Sequence, residues 1–176
     1  MTDDNTQLNE PEALFLYIPV SRLIILSILS CGTYEAYWIY KNWRYFKDRD
    51  NLKIHPFWRG IFGLFFCHSL LKTIHGDTKC REIQEPEFSP GGLATGWVIL
   101  MILANLISRA PGAIASIIGF IMPSYLCFVP VQRYINSINK QQNPNASYYG
   151  WSAGHVVCLL FGLAIWVLTL LVIGYE

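Results

Sequence analysis

Val156 to Tyr175 reads VVCLLFGLAIWVLTLLVIGY, a run without Asp, Glu, Lys or Arg. A hydrocarbon core about 30 Å thick is crossed by roughly 20 apolar residues in an α-helix, and this run has that length. Two more stretches free of charge, Gly92 to Ser108 and Ala113 to Val131, lie upstream. The whole chain of 176 residues is 53% hydrophobic and only 14% charged, with a net charge of +1, whereas a soluble domain is roughly 25% charged. The fold class is therefore predicted to be all-α, an integral membrane helical bundle. The same numbers weigh against a soluble enzyme, a disordered chain and a nucleic-acid binder, which would carry a basic excess.

Arg109-Ala110-Pro111-Gly112 separates two of these runs, and Pro with Gly makes a tight turn. The flanking helices are predicted to form an antiparallel hairpin. Pro123 and Pro130 are tolerable inside a membrane helix as kinks. Past Pro130 the pattern becomes amphipathic: Val131, Tyr134, Ile135 and Ile138 follow i, i+3, i+4, i+7 spacing, with Gln132, Arg133, Asn136, Asn139 and Lys140 on the other side. That extension reads either as a helix on the membrane surface or as a helix end packed on neighbouring loops. A polar loop, Gln141 to Tyr149, then leads to the last run.

Two segments nearer the N-terminus are less clear. One starts after Pro19, with Ser21 as a plausible N-cap, and runs from Arg22 to about Tyr40. The other runs from Pro56 to about Ile74 and carries Arg59, His68 and Lys72. If the latter spans, Lys and Arg divide seven to six across the membrane; if it is re-entrant or interfacial they divide eleven to two, and the positive-inside rule prefers the second answer. The expectation is four spanning helices, the N-terminus outside, and one membrane-embedded or interfacial helix on the cytoplasmic side. Five spans is the alternative, because the segment is apolar on several sides, as buried helices are. Residues 1–20, with Asp3, Asp4, Glu10 and Glu12, read as a polar acidic tail, and 21–176 as a single transmembrane domain.

The most distinctive run is Gly32-Thr33-Tyr34-Glu35-Ala36-Tyr37-Trp38-Ile39-Tyr40-Lys41-Asn42-Trp43-Arg44. Tyr and Trp keep an apolar body in lipid and a polar tip in water, so Tyr37, Trp38, Tyr40, Lys41, Trp43, Arg44 and Lys47 read as lipid-interface anchors. Lys41, Arg44 and Lys47 recur every three residues and can face anionic headgroups, at about 1 kcal/mol each near the surface. This run, with Pro56-Phe57-Trp58-Arg59, Phe65-Phe66-Cys67, Pro130-Val131-Gln132 and Gly150-Trp151, resembles a family of small bacterial multi-spanning inner-membrane proteins of unknown function. That family shows a Gly-x-Tyr-x-x-Tyr-Trp-x-Tyr-Lys-Asn-Trp signature. The resemblance implies a bacterial inner (cytoplasmic) membrane location and supplies no activity.

Glu35 lies inside the first apolar segment, where a carboxylate is expensive unless paired or protonated. Arg59, His68 and Lys72 are its expected partners, forming a helix-to-helix clasp or, alternatively, a proton or cation relay. Gly150-Trp151-Ser152-Ala153-Gly154 matches G-x-S-x-G, but a nucleophile elbow follows a strand and precedes its acid and His. Here a polar loop precedes and only His155 and Glu176 follow, so Ser152 is read as the cap of the last helix. Cys67 and His68 are adjacent on a helix and point apart; His68 reads as a hydrogen-bonded core histidine. Asn105 is placed to bond across helices, and Gly112 with Ser116 to allow close approach. Five cysteines without C-x-x-C spacing argue against a disulfide framework or a metal site, and no cofactor is expected. The leading expectation is a non-enzymatic bundle that binds membrane lipids, another membrane protein or a second copy of itself. A small transporter or channel subunit using Glu35 comes second, an intramembrane hydrolase third.

Overall fold

The computed structural model describes residues 13–110 and 113–175. Within them the chain forms α1 (Val20–Leu29), α2 (Thr33–Asp50), α3 (Pro56–Ile61), α4 (Gly63–Gly76), α5 (Thr78–Arg81), α6 (Pro90–Ser108), α7 (Ala113–Ile121), a 3-10 turn (Ser124–Phe128), α8 (Val129–Gln142) and α9 (Ala153–Tyr175). The fold is all-α. Among the described residues, three stretches are long and apolar enough to cross a membrane: Pro90–Ser108, Ile114–Gln142 and Ala153–Leu171. The protein is an integral membrane helical bundle, with three such stretches where the sequence suggested four.

The difference lies in the first segment, which turns back instead of crossing. It breaks after Leu29, where Cys31 (φ 50°) and Gly32 (φ 83°) take left-handed backbone conformations. Glycine adopts that region without steric cost and so ends helices readily. Arg22, at the start of α1, donates to the Tyr149 carbonyl, and Lys41 Nζ, two turns along α2, donates to the Tyr149 hydroxyl at 2.8 Å. Arg22 and Lys41 therefore stand at one level, and α1 and α2 run antiparallel. Helix α9 measures their depth. Its Gly154 abuts the Tyr37 ring and its Gly162 abuts the backbone of Leu29 and Ser30. At 1.5 Å per residue these contacts are about 12 Å apart, so the turn stops short of halfway through a core of about 30 Å.

The Pro56 to Ile74 segment is a second hairpin of the same kind. Helix α3 descends along α2, with Gly60 against Tyr40 and Ala36. The chain turns at Phe62, and Gly63 meets Ile39 and Trp97. Helix α4 then climbs back beside α6: His68 Nε2 lies 3.0 Å from Thr95 Oγ1, and the His75 ring stands 5.4 Å from that of Phe88. Phe57, Trp58, Phe62 and Phe65 stay exposed on its outer face. The segment is thus embedded without crossing, and the five-span alternative falls with it.

The expected kink at Pro123 is a full break. Helix α7 stops at Ile121, a 3-10 turn follows, and α8 resumes at Val129. Helix α8 is the predicted amphipathic extension, but it does not lie on a membrane surface. Val131, Tyr134, Ile135 and Ile138 are buried, and so are Gln132 and Asn139 from the face that looked solvated.

Residues 14–18 occupy the groove between α8 and α2 and are buried, so the expected tail of 1–20 gives up its last residues to the core. This stretch belongs to no helix or strand, and its backbone groups need partners because burial without them costs free energy. Side-chain amides provide them. Asn139 Oδ1 accepts from the Leu14 N–H at 3.0 Å and Asn42 Oδ1 from the Leu16 N–H at 3.2 Å. Gln132 donates to the Leu16 carbonyl at 2.9 Å and Asn136 to the Ile18 carbonyl at 2.8 Å. The four acidic residues of the tail lie outside the described residues.

Candidate functional site

Glu35 sits in the first turn of α2, just above the α1–α2 turn, and is 1% exposed. The Trp97 indole N–H donates to one carboxylate oxygen, and Ser124 Oγ donates to the other at 2.7 Å. The expected clasp with Arg59, His68 and Lys72 is replaced by these two neutral donors. The guanidinium of Arg59 lies instead over the Trp43 ring, 4.1 Å from its centre, and 5.2 Å from that of Phe66. His68 bonds Thr95, as a structural histidine would, and Lys72 is exposed. The reason is the direction of α4. A re-entrant helix carries His68 and Lys72 upward, away from the level of Glu35, whereas α6 descends to that level with Trp97 and the chain after α7 rises to it with Ser124.

A cavity of about 140 Å³ adjoins Glu35, walled by the α1–α2 turn, the lower half of α6 and the α7 break. Ser27, Asn105, Ser108 and Ser124 contribute polar groups to its lining. Among the described residues the buried Ser27 hydroxyl has no hydrogen-bond partner. Ser124 and Trp97 escaped the sequence reading because each stands in an apolar run. The signal for Ser124 was its place directly after Pro123, where a helix that must break can turn a hydroxyl inward.

The aromatic belt is largely internal. Trp38 is fully buried, donates to Gln132 Oε1 at 2.6 Å and stacks on Phe128 at 4.7 Å. Trp43 is 2% exposed. Neither anchors the protein in lipid. Tyr37, Tyr40 and Lys47 are half-buried, and Arg44 is exposed and paired with Asp48 at 3.5 Å. Lys41 is mostly buried, yet its ammonium reaches Tyr149 and lies 4.3 Å from that ring's centre. Among the described residues no carboxylate pairs with it. Lys41, Arg44, Arg49, Asp48, Tyr45 and Tyr149 line a cleft of about 270 Å³. Tyr149 precedes α9 by only a few residues, so this cleft stands at the level where that helix enters the membrane.

Ser152 stands directly before α9, but among the described residues its hydroxyl meets side chains, not a backbone N–H of the first turn as a capping serine would. Its backbone N–H donates to His155 Nδ1 at 3.1 Å, its hydroxyl lies 2.8 Å from the same nitrogen, and the His155 N–H returns a bond to the Ser152 carbonyl. The bond to Nδ1 is one half of a capping box, with His in place of the usual Glu, and the backbone bond is the ordinary first turn of the helix. Tyr37 extends the cluster at 2.9 Å from Ser152 Oγ. His155 Nε2 is buried without a partner, so the third group that orients a catalytic histidine is missing among the described residues. Ser116 bonds the Ser108 carbonyl at 3.3 Å across the α6–α7 crossing, whereas Gly112 and Glu176 fall outside the described residues. Comparison of the chain with family models, with curated proteins and with solved structures finds no match.

Proposed function

We propose that this protein is a non-catalytic membrane bundle that binds anionic lipid, with the headgroup held in the cleft of Lys41, Arg44, Arg49 and Tyr149. The observation that carries this reading is Lys41, an ammonium that no carboxylate among the described residues pairs, in an open cleft at the entry level of α9. Arg49 is held by Asp50 and Asp77, and Arg44 by Asp48, so among the described residues of the cleft Lys41 is the cation whose charge asks for an anion. The apolar faces of α6 and α9, with Ile99, Leu106, Leu163 and Leu170 exposed, suit acyl chains or the helices of a second copy. The resemblance in the Gly32 to Trp43 run supports a bacterial inner membrane as the setting.

Lipid retained through purification in mild detergent tests the proposal. Phosphatidylglycerol should be enriched over phosphatidylethanolamine relative to the source membrane. Lys41→Ala should lower the retained phosphatidylglycerol about fivefold, the equivalent of ~1 kcal/mol for one interfacial cation, and Lys53→Ala, at an exposed position away from the cleft, should not. Equal retention of both lipids by all three proteins would remove this reading.

A further inference from the structure

The two hairpins make the molecule unequal across the bilayer. At the level of Tyr37 and Trp38 the membrane is entered by α1, α2, α3, α4, α6, α8 and α9. Gly154 of α9 abuts Tyr37, Gly60 of α3 abuts Tyr40, Gly63 at the start of α4 meets Trp97 of α6, and Trp38 stacks on Phe128 just before α8. Below the α1–α2 turn, about 12 Å down α9, only α6, α7 and α9 continue among the described residues. They pack on one another there. Gly119 of α7 abuts Ala104 and Ser108 of α6, and the Phe120 ring stands 6.1 Å from that of Trp166 on α9. Seven helical segments in one leaflet against three in the other leave four in excess. With a helix diameter of about 10 Å, those four displace roughly 300 Å² from one leaflet alone.

The α3–α4 hairpin is the shallower of the two. Its turn meets Ile39, two residues from Lys41, so it stands at the boundary of headgroups and acyl chains. Phe57, Trp58, Ile61, Phe62, Leu64 and Phe65 are exposed on it, Phe65 at 78%, and no other described element covers them. Ile25 and Leu29 of the deeper hairpin are exposed as well. Apolar side chains at membrane depth that no protein covers are covered by lipid, and aromatic rings belong at the membrane–water boundary.

A flat bilayer offers its two leaflets equal area, whereas a curved one gives its convex leaflet more. A molecule broad in one leaflet and narrow in the other therefore fits a curved bilayer better than a flat one. Bilayers deform around proteins that do not match them, and the cost sorts proteins among membranes of different thickness; taper sets the same kind of preference for curvature. We propose that this protein is a leaflet wedge: its two hairpins spread the leaflet they enter, so that it gathers in, and stabilises, membrane in which that leaflet is convex. Shape alone sets this preference, so it is independent of headgroup binding at Lys41.

Tubes drawn outward from giant vesicles of phosphatidylcholine test this, since that lipid offers Lys41 no net negative charge. The full chain is reconstituted in both orientations as Lys53→Cys or as Arg109→Cys, each at an exposed position. An impermeant fluorescent thiol reagent added outside marks molecules with the hairpin face outward in the first protein, and inward in the second. The outer leaflet of the tube is convex. Relative to a lipid dye, the Lys53→Cys label should be enriched severalfold in the tube over the parent vesicle, and the Arg109→Cys label depleted. Adding Phe57→Ser and Phe65→Ser to Lys53→Cys should draw its ratio toward equality, because interfacial insertion scales with buried apolar area. The two single-cysteine proteins decide the matter even if that variant does not fold. Equal distribution of both labels between tube and vesicle would overturn the wedge, and so would sorting in the reverse sense.

Discussion

Gln132 shows what one buried amide does here. It accepts from the Trp38 indole at 2.6 Å, donates to the Leu16 carbonyl at 2.9 Å and to Asn136 Oδ1 at 2.8 Å, and is 0% exposed. Truncation would leave a buried indole N–H and a buried carbonyl unpaired, and each such group costs about 1–3 kcal/mol. Gln132→Ala should therefore lower stability by about 2–4 kcal/mol, measured by denaturation in detergent, while Asn145→Ala in the exposed loop should stay within about 0.5 kcal/mol. The sequence placed Gln132 on a polar helix face and stopped there. Periodicity reports which residues share a face, but a buried amide face and a solvated one have the same periodicity. What separates them is residues 14–18, more than a hundred positions away.

At the scale of elements, α9 is the post against which the α1–α2 hairpin is fitted. A Cβ on Gly162 would collide with the Leu29 carbonyl and the Ser30 Cα, which are backbone atoms that cannot swing aside. Gly162→Ala should force α9 from the hairpin and cost about 1–3 kcal/mol. Gly91→Ala, where a Cβ meets open space, should be neutral or slightly stabilising, and unfolding midpoints of the two variants compare them directly. At the other end of α2, Arg49 bonds Asp50 and Asp77, and Lys79 bonds Asp50 at 3.2 Å, tying α2 to α5. The hydrogen bond from Arg49, then that from Lys79, holds the Asp50 carboxyl below its ordinary value. In acid the unfolded chain, with a carboxyl near ~3.9, takes up its proton first, so stability rises with pH in this window. The contribution is full above the unfolded value and is lost as pH falls through the native one. Midpoints measured from about pH 5 down to pH 3 should fall, and Asp50→Asn should flatten that slope. The effect should be small, because the pair faces solvent.

For the whole molecule, two hairpins that enter and leave by one face change the charge balance across the membrane. Of the 13 Lys and Arg, only Arg109 lies in the α6–α7 connection; the others belong to the face shared by residues 13–18, α5 and α8. The positive-inside rule then puts that face in the cytoplasm, with the N-terminal side inside, opposite to the orientation expected from four spans. Single cysteines at Lys53, Lys79 and Lys140 should be modified by an impermeant thiol reagent from the cytoplasmic side, and a cysteine at Arg109 from the other. Labelling of Lys53→Cys and Lys79→Cys from opposite sides would mean that α3 and α4 cross. The native Cys80 is buried, and burial pushes its thiol up to about 12, so it should stay silent.

The sequence by itself determined the solvent and the class: all helix, in a membrane, with α6 and α9 as spans and a hairpin between α6 and α7. Those follow from counting apolar residues against a fixed thickness, a property each stretch carries alone. It also marked Glu35 as a residue in need of company. Only the tertiary structure decided that the chain reverses at Cys31 and Gly32 and again at Phe62, and that Glu35 is met by Trp97 and Ser124. A break in a helix is local, but the direction taken after it depends on which distant surface the next element can pack against. Here Gly162 of α9 and Trp97 of α6 supplied that surface.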